Sequence, residues 1–244
     1  MKSRTIAALL TMVLLPLAQH LAFGFENCKD KGEYTIKYRY PLNATANGTA
    51  GELQLLLDRA LTEEDLDMQR ASPKGACAKL RVVTGADKVL SSKNLGWPAA
   101  RLTPALQLKG SPAWYLLEVN QSAEFGSYSG AVASFVRARN AQFDWLQAVD
   151  KQTGKSEKIQ LLRSGKTDWR LAKSSQTKAV NLVELACRPD FENKFVHKKD
   201  ELEFMLIYRR YYPQGDGRWI RAERTQAGFW ESDEDFPDER EFPF

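Results

Sequence analysis

Hydrophobic and polar residues alternate in many short runs along this chain, which is the pattern of half-buried β-strands. The strand-like runs before the C-terminal region occupy residues 34–40, 80–84, 106–108, 114–119, 131–139, 143–149, 158–163 and 180–187. Two longer runs, 203–212 and 218–226, flank the turn-forming sequence Pro213-Gln-Gly-Asp-Gly217 and predict a terminal hairpin. We therefore predict a mainly β fold with antiparallel sheets built from hairpins.

A minor helical component is predicted near residues 50–70. Thr49-x-x-Glu52 and Thr62-x-x-Asp65 have the spacing of capping boxes, in which a Thr side chain and a later carboxylate each accept a backbone N–H. Leucine-rich sequence follows, so one or two short helices are expected, although Leu53-Gln-Leu-Leu-Leu57 also suits a buried strand. Further along, Asp150 to Lys155 predicts a hairpin turn with Gly154 at positive φ.

The first 24 residues have the pattern of a cleavable signal peptide. Lys2 and Arg4 precede an apolar run over residues 6–18, and Ala22 and Gly24 are small residues at positions −3 and −1 of a cleavage site. The run is shorter than the roughly 20 apolar residues that span a bilayer, so no stable membrane insertion is expected. The sequence therefore predicts export to the periplasm, with secretion beyond it as an alternative.

The mature chain is predicted to be a single mainly β domain over residues 25–244. A subdivision is considered near 90–112, where glycines and prolines cluster, and residues 231–244 form an acidic C-terminal tail. The tail has two alternatives: it folds back across the basic terminal hairpin, or it projects as an interaction arm.

The mature chain that cleavage would leave is nearly neutral and contains three cysteines. Without Lys2 and Arg4, 33 basic residues face 31 acidic ones, so the overall charge gives no reason to expect nucleic acid as a partner. Cys28, Cys77 and Cys187 remain, and an oxidising compartment favours one disulfide among three possible pairings. We predict Cys28–Cys77, because both residues lie in the N-terminal third of the chain.

Candidate chemistry is sparse. His197 is the single histidine of the mature chain and lies in a charged stretch, where it is predicted to be solvent-exposed. A Ser-His or Cys-His nucleophile system would depend on this one residue, and no two His or Cys residues have zinc-ligand spacing. Gly126-Ser-Tyr-Ser-Gly130 has Tyr128 where a nucleophile elbow needs serine. No catalytic residue, metal or cofactor is predicted.

The terminal hairpin is the predicted partner-binding region. Arginines interleaved with tyrosine and tryptophan are typical anchors of protein interfaces, and they also suit saccharide or phosphate groups. The predicted set is Arg209, Arg210, Tyr212, Arg218, Trp219, Arg221 and Arg224.

These features favour a soluble periplasmic binding protein that is not an enzyme. The specific hypothesis is an inhibitor or immunity protein that neutralises a toxin or hydrolase by occluding it, since occlusion needs only a complementary surface and charge. One alternative is an envelope ligand-binding or assembly module that recognises a glycan or lipid head group. A second is a hydrolase with paired carboxylates, because sequence spacing does not report distance in space. The partner and the oligomeric state stay open.

Overall fold

A computed structural model describes residues 28–42, 51–106, 113–124, 126–173, 180–197, 203–214, 218–238 and 241–244. The predicted signal peptide and Thr49 lie outside these ranges. The described part is mainly β, with 57% strand, antiparallel sheets and a lone 3-10 turn as its helical component. The prediction of a mainly β fold is therefore confirmed.

The strands of the described residues form three sheets. They are β1 (Tyr34–Leu42), β2 (Gly51–Asp58), β3 (Lys79–Thr84), β4 (Val89–Asn94), β5 (Ala100–Leu106), β6 (Trp114–Asn120), β7 (Ala131–Arg139), β8 (Gln142–Trp145), β9 (Gln147–Asp150), β10 (Ser156–Lys158), β11 (Gln160–Arg163), β12 (Thr167–Lys173), β13 (Val180–Pro189), β14 (Phe204–Pro213) and β15 (Trp219–Ala227). The four-stranded sheet has the order β1-β2-β3-β4, the five-stranded sheet β11-β7-β6-β5 with β8 beside β7, and the six-stranded sheet β10-β9-β15-β14-β13-β12. Among the described strands, β15 and β9 pair in parallel and the other pairs are antiparallel.

Three hydrophobic cores hold these sheets in layers. The first core contains residues of the four-stranded and five-stranded sheets, such as Leu55 and Leu117. The second joins the five-stranded and six-stranded sheets and contains Phe135 and Trp219. The third contains β13, β14 and the C-terminal tail. Because side chains alternate across a strand, the five-stranded sheet supplies apolar residues to both of its faces and forms the middle layer.

Two strands change sheets at a single buried residue. Leu146 separates β8 of the five-stranded sheet from β9 of the six-stranded sheet, and Ile159 does the same between β10 and β11. The predicted strands 143–149 and 158–163 are therefore each divided in two. The turn between β9 and β10 matches its prediction, with Gly154 at φ 71°.

The structure of residues 51–70 differs in part from the helix prediction. Residues Gly51–Asp58 form β2, which pairs with β1 on one side and β3 on the other, so the strand alternative holds and a helix there is wrong. The second capping box is present: Asp65 Oδ2 accepts the backbone N–H of Thr62 at 2.7 Å, and Thr62 Oγ1 accepts that of Asp65 at 3.3 Å. The helical structure beside it is only the 3-10 turn Glu64–Leu66, whose N-cap residue Glu63 makes no side-chain capping bond.

The predicted disulfide is confirmed. Cys28 and Cys77 are bonded, with their Cα atoms 4.9 Å apart, and Cys187 is a buried free thiol. Backbone hydrogen bonds beside the bond run from Lys29 N–H to the Gly75 carbonyl and from Cys77 N–H to the Lys29 carbonyl, both at 2.9 Å. The disulfide and these two bonds fasten the N-terminal segment to the strand region before β3.

Candidate functional site

The alternation of side chains along β14 and β15 separates the predicted hairpin residues into two groups. Arg209 lies opposite Glu223 and Tyr211 lies opposite Arg221, and this face of the hairpin contacts the second core. Arg209, Trp219 and Arg221 therefore belong to the inner face, and the outer group is Arg210, Tyr212, Arg218 and Arg224. The predicted hairpin is present, but its arginines lie on two faces and do not form one patch.

On the inner face, Trp219 is a core residue with 2% of its surface exposed. Beside it, Arg209 donates from Nη1 to Glu184 Oε2 at 3.0 Å and from Nε to Glu223 Oε2 at 2.7 Å. Burial raises the pKa of Tyr211, whose hydroxyl donates to Glu184 at 3.4 Å. These contacts use the Arg209 charge within the chain, to pair with the buried carboxylate of Glu184 and the partly exposed carboxylate of Glu223.

Arg221 has the same internal role at the other edge of the hairpin. Its Nε and Nη2 donate to Asp150 Oδ2 at 3.0 and 2.8 Å, and its Nη1 reaches Glu157 at 3.3 Å. The backbone N–H of Thr153, with the Arg221 guanidinium, lowers the pKa of Asp150 to about 2, against the opposing effect of burial. Arg221 thus fastens β15 to β9 and β10.

The outer group contains the two exposed arginines of the predicted set. Arg218 and Arg224 are exposed, and Arg210 and Tyr212 are partly buried. The Arg210 guanidinium lies 5.9 Å from the centroid of the Tyr212 ring, within the range of a cation–π contact. This face is a basic and aromatic strip at the end of the six-stranded sheet.

The C-terminal tail folds back on the same sheet. Phe236 and Phe242 of the tail are buried in the third core together with Trp230, which directly precedes the tail, and the Phe242 ring meets the Tyr208 ring edge-on at 5.1 Å. Glu231 forms an ion pair with Lys166. The fold-back alternative therefore holds for the described tail, and aromatic burial is its main contact.

A second candidate site lies on the 190–197 loop, between β13 and β14. The Asp190 carboxylate is buried and accepts the backbone N–H groups of Lys194 and Phe195, each at 3.0 Å. His197 Nε2 also lies 3.0 Å from Asp190 Oδ2. Burial acts to raise the pKa of Asp190, but these hydrogen bonds outweigh it and lower the pKa below its ordinary value.

The prediction of a solvent-exposed His197 is wrong, because only 9% of its side chain is exposed. The buried carboxylate of Asp190 binds the backbone of Lys194 and Phe195, and His197 packs against the same carboxylate. The sequence did not predict this arrangement, because the many charged residues around His197 indicated an exposed segment. The one available signal was an Asp directly after a strand, which often starts a turn through its side chain.

The loop holds two large apolar side chains in solvent. Phe191 is 87% exposed and Val196 is 98% exposed, the two highest values among the exposed large apolar residues that the structure describes. Beside Phe191 lies a groove of about 500 Å³. Apolar side chains this exposed, next to a concavity, are typical of an interaction surface.

Comparison of the chain with protein-family models, curated proteins and solved structures found no match. The function is therefore inferred from the chemistry of the surface and not from a relative. Within the described ranges, no group of His, Cys, Asp and Glu residues has the makings of a metal site. Likewise, none of the helical structure described is long and apolar enough to cross a membrane.

Proposed function

We propose that this chain is an exported binding protein that attaches to a protein partner through the 190–197 loop. Its action on that partner is inhibition by occlusion, as in an immunity protein that neutralises a toxin or hydrolase of the cell envelope. The observation that carries the proposal is the exposure of Phe191 and Val196 on a loop that the buried Asp190 holds in place.

Two physical effects favour binding through this loop: the burial of its apolar side chains and the order that the loop already has. Fully burying a side chain such as Phe or Val contributes about 1.5–3 kcal/mol, so the two together offer about 3–6 kcal/mol to a partner that covers them. A loop that is already ordered loses less conformational entropy on binding. The hydrogen bonds of Asp190 supply this order, since they join the start of the loop to residues near its end.

The leader and the disulfide also support the proposal. The leader pattern indicates export, and a disulfide such as Cys28–Cys77 is usual in an oxidising compartment. Occlusion needs a complementary surface and no catalytic group in the inhibitor itself.

The test combines protection and binding. We would test the products of the reading frames that flank this gene for toxicity or hydrolase activity, and express any active one with the wild-type chain or with the variant F191S/V196S. We expect wild type to protect cells and to inhibit the purified enzyme, and the variant to bind at least 100-fold more weakly. The matched control is V89S/L90S, which changes two exposed apolar residues on β4 at 45% exposure each and should leave inhibition unchanged. Full inhibition by F191S/V196S at wild-type affinity would overturn the proposal.

The outer hairpin strip favours a second candidate, an envelope module that recognises an anionic head group. Arginines next to tyrosine suit phosphate and saccharide groups, and strand alternation puts these side chains on one face. The test measures sedimentation with vesicles of anionic phospholipid against neutral vesicles. Under this candidate, R218Q/R224Q should lose the preference for anionic vesicles, and equal sedimentation of both proteins would count against it.

A further inference from the structure

The groove beside the 190–197 loop is assembled from both sheets that enclose the second core. Leu162 comes from β11 of the five-stranded sheet, and Arg188 and Met205 are directly paired positions on β13 and β14 of the six-stranded sheet. Phe191 and Tyr128, from two different loops, complete the main lining. Its volume of about 500 Å³ lies in the range of ligand pockets and accommodates a large apolar side chain.

Arg188 and Tyr128 bring two polar groups to this lining. Arg188 is exposed and forms no ion pair with any residue that the structure describes, whereas the Glu192 carboxylate of the same lining is paired with Lys194 at 3.0 Å. The Tyr128 hydroxyl likewise has no hydrogen-bond partner in the described part of the chain. A tyrosine hydroxyl is protonated at neutral pH, so the Tyr128 hydroxyl is available as a donor.

We propose that this groove binds the C-terminal residue of the protein partner, with an apolar side chain against Leu162, Met205 and Phe191 and the terminal carboxylate on Arg188. A C-terminal Phe or Leu supplies an apolar group and a carboxylate from one residue, which matches a groove that pairs apolar walls with one cation. Arginine binds carboxylates in a bidentate manner, and Tyr128 supplies a further donor. This inference rests on the proposed function, because Phe191 belongs both to the groove and to the docking loop.

The test uses fluorescence polarisation of the full chain with labelled hexapeptides Gly-Ser-Gly-Ser-Gly-Phe. We compare the free C-terminal carboxylate with the C-terminal amide, and with a free-acid peptide that ends in Gly. We expect the free acid ending in Phe to bind at least tenfold more tightly than either comparison peptide. R188Q should abolish the preference for the acid over the amide, and M205S should weaken both Phe peptides.

The matched control for R188Q is R139Q. Arg139 is an exposed arginine at the far end of β7, and it lines no part of the groove. R139Q should keep the full preference for the free acid. Equal binding of acid and amide by the wild type, or an unchanged preference in R188Q, would overturn the inference.

The outcome separates this inference from the proposed function. Val196 is outside the groove lining, so V196S should weaken inhibition of the protein partner and leave peptide binding unchanged. If the peptides bind as expected but F191S/V196S inhibits normally, the proposal that the 190–197 loop occludes the partner is refuted, and the groove assignment stands. If the loop variant loses inhibition but no peptide preference exists, only the groove assignment fails.

Discussion

Loss of the Cys28–Cys77 disulfide should remove a large and calculable part of the stability of this protein. The bond links positions 49 residues apart in the sequence. The chain-entropy relation for closing a loop of this length gives roughly 14 cal/mol/K, or about 4 kcal/mol at 25 °C. For a protein of this size, about 4 kcal/mol corresponds to a fall in Tm of roughly 8–16 °C.

The structure indicates that the effect acts mainly through the unfolded chain. The closed loop contains β1, β2 and the 3-10 turn, which stay held by strand pairing and by the first core when the bond is absent. The backbone hydrogen bonds between Lys29 and residues 75 and 77 also remain possible in an alanine variant. The folded state should therefore change little, while the unfolded ensemble gains freedom.

The assay is urea unfolding followed by tryptophan fluorescence. We expect C28A/C77A to unfold with a free energy about 4 kcal/mol below that of oxidised wild type. Reduced wild type should match the double variant, and reductant should have no effect on the variant, which controls for the buried Cys187. A loss below about 1 kcal/mol with an unchanged urea dependence would refute the reasoning, because the bond would then constrain little of the unfolded chain.

Three further predictions concern the polar contacts and the tail. The low pKa of Asp150, about 2, means that its contribution to stability is complete above about pH 4 and is lost as the pH falls towards 2. D150N should therefore be less stable at pH 7 and lose less stability than wild type between pH 4 and pH 2; parallel urea-unfolding profiles would contradict this. E184Q should lower the free energy of unfolding in urea by about 3–5 kcal/mol, because the Arg209 guanidinium loses its ion pair with the buried Glu184. E223Q changes the more exposed partner of Arg209 and should lower it clearly less. Equal losses in the two variants would contradict this prediction. Truncation after Gly228 should raise the rate at which Cys187 reacts with a thiol reagent under native conditions at least tenfold, because the tail packs in the core that buries this thiol; an unchanged rate would show that other segments protect it.

Sequence pattern predicted most of the strands because their signal is local. The alternation in 34–40, 131–139 and 180–187 is visible without knowing any partner strand, and β1, β7 and β13 contain these residues. β4 and β12 were not predicted, and β5 was predicted only at its last residue, because the rest of the predicted run 106–108 lies outside the described residues. The reason is visible in β4, where all residues except Ser91 are exposed, so no apolar alternation marks the strand.

The candidate site was less predictable, because accessibility is a property of the whole fold. The arginines of the terminal hairpin look alike in the sequence, yet Arg209 and Arg221 pair with carboxylates from β13 and β9, far away in sequence. Conversely, nothing local marks Phe191 as exposed in a chain whose other phenylalanines include fully buried Phe135. A buried carboxylate seven residues before His197 reversed its expected environment in the same way.

The sequence by itself determined the β class, the hairpin at the C-terminus, the Gly154 turn and the disulfide pairing, and it predicts export. These follow from local periodicity, from the φ preferences of single residues and from a small number of cysteines. Only the tertiary structure decided which face of each strand meets solvent, that the tail covers one face of the six-stranded sheet, and that the 190–197 loop is ordered around Asp190. The physical reason is that burial and charge pairing depend on residues from distant strands, whose packing is not encoded in any single segment of the chain.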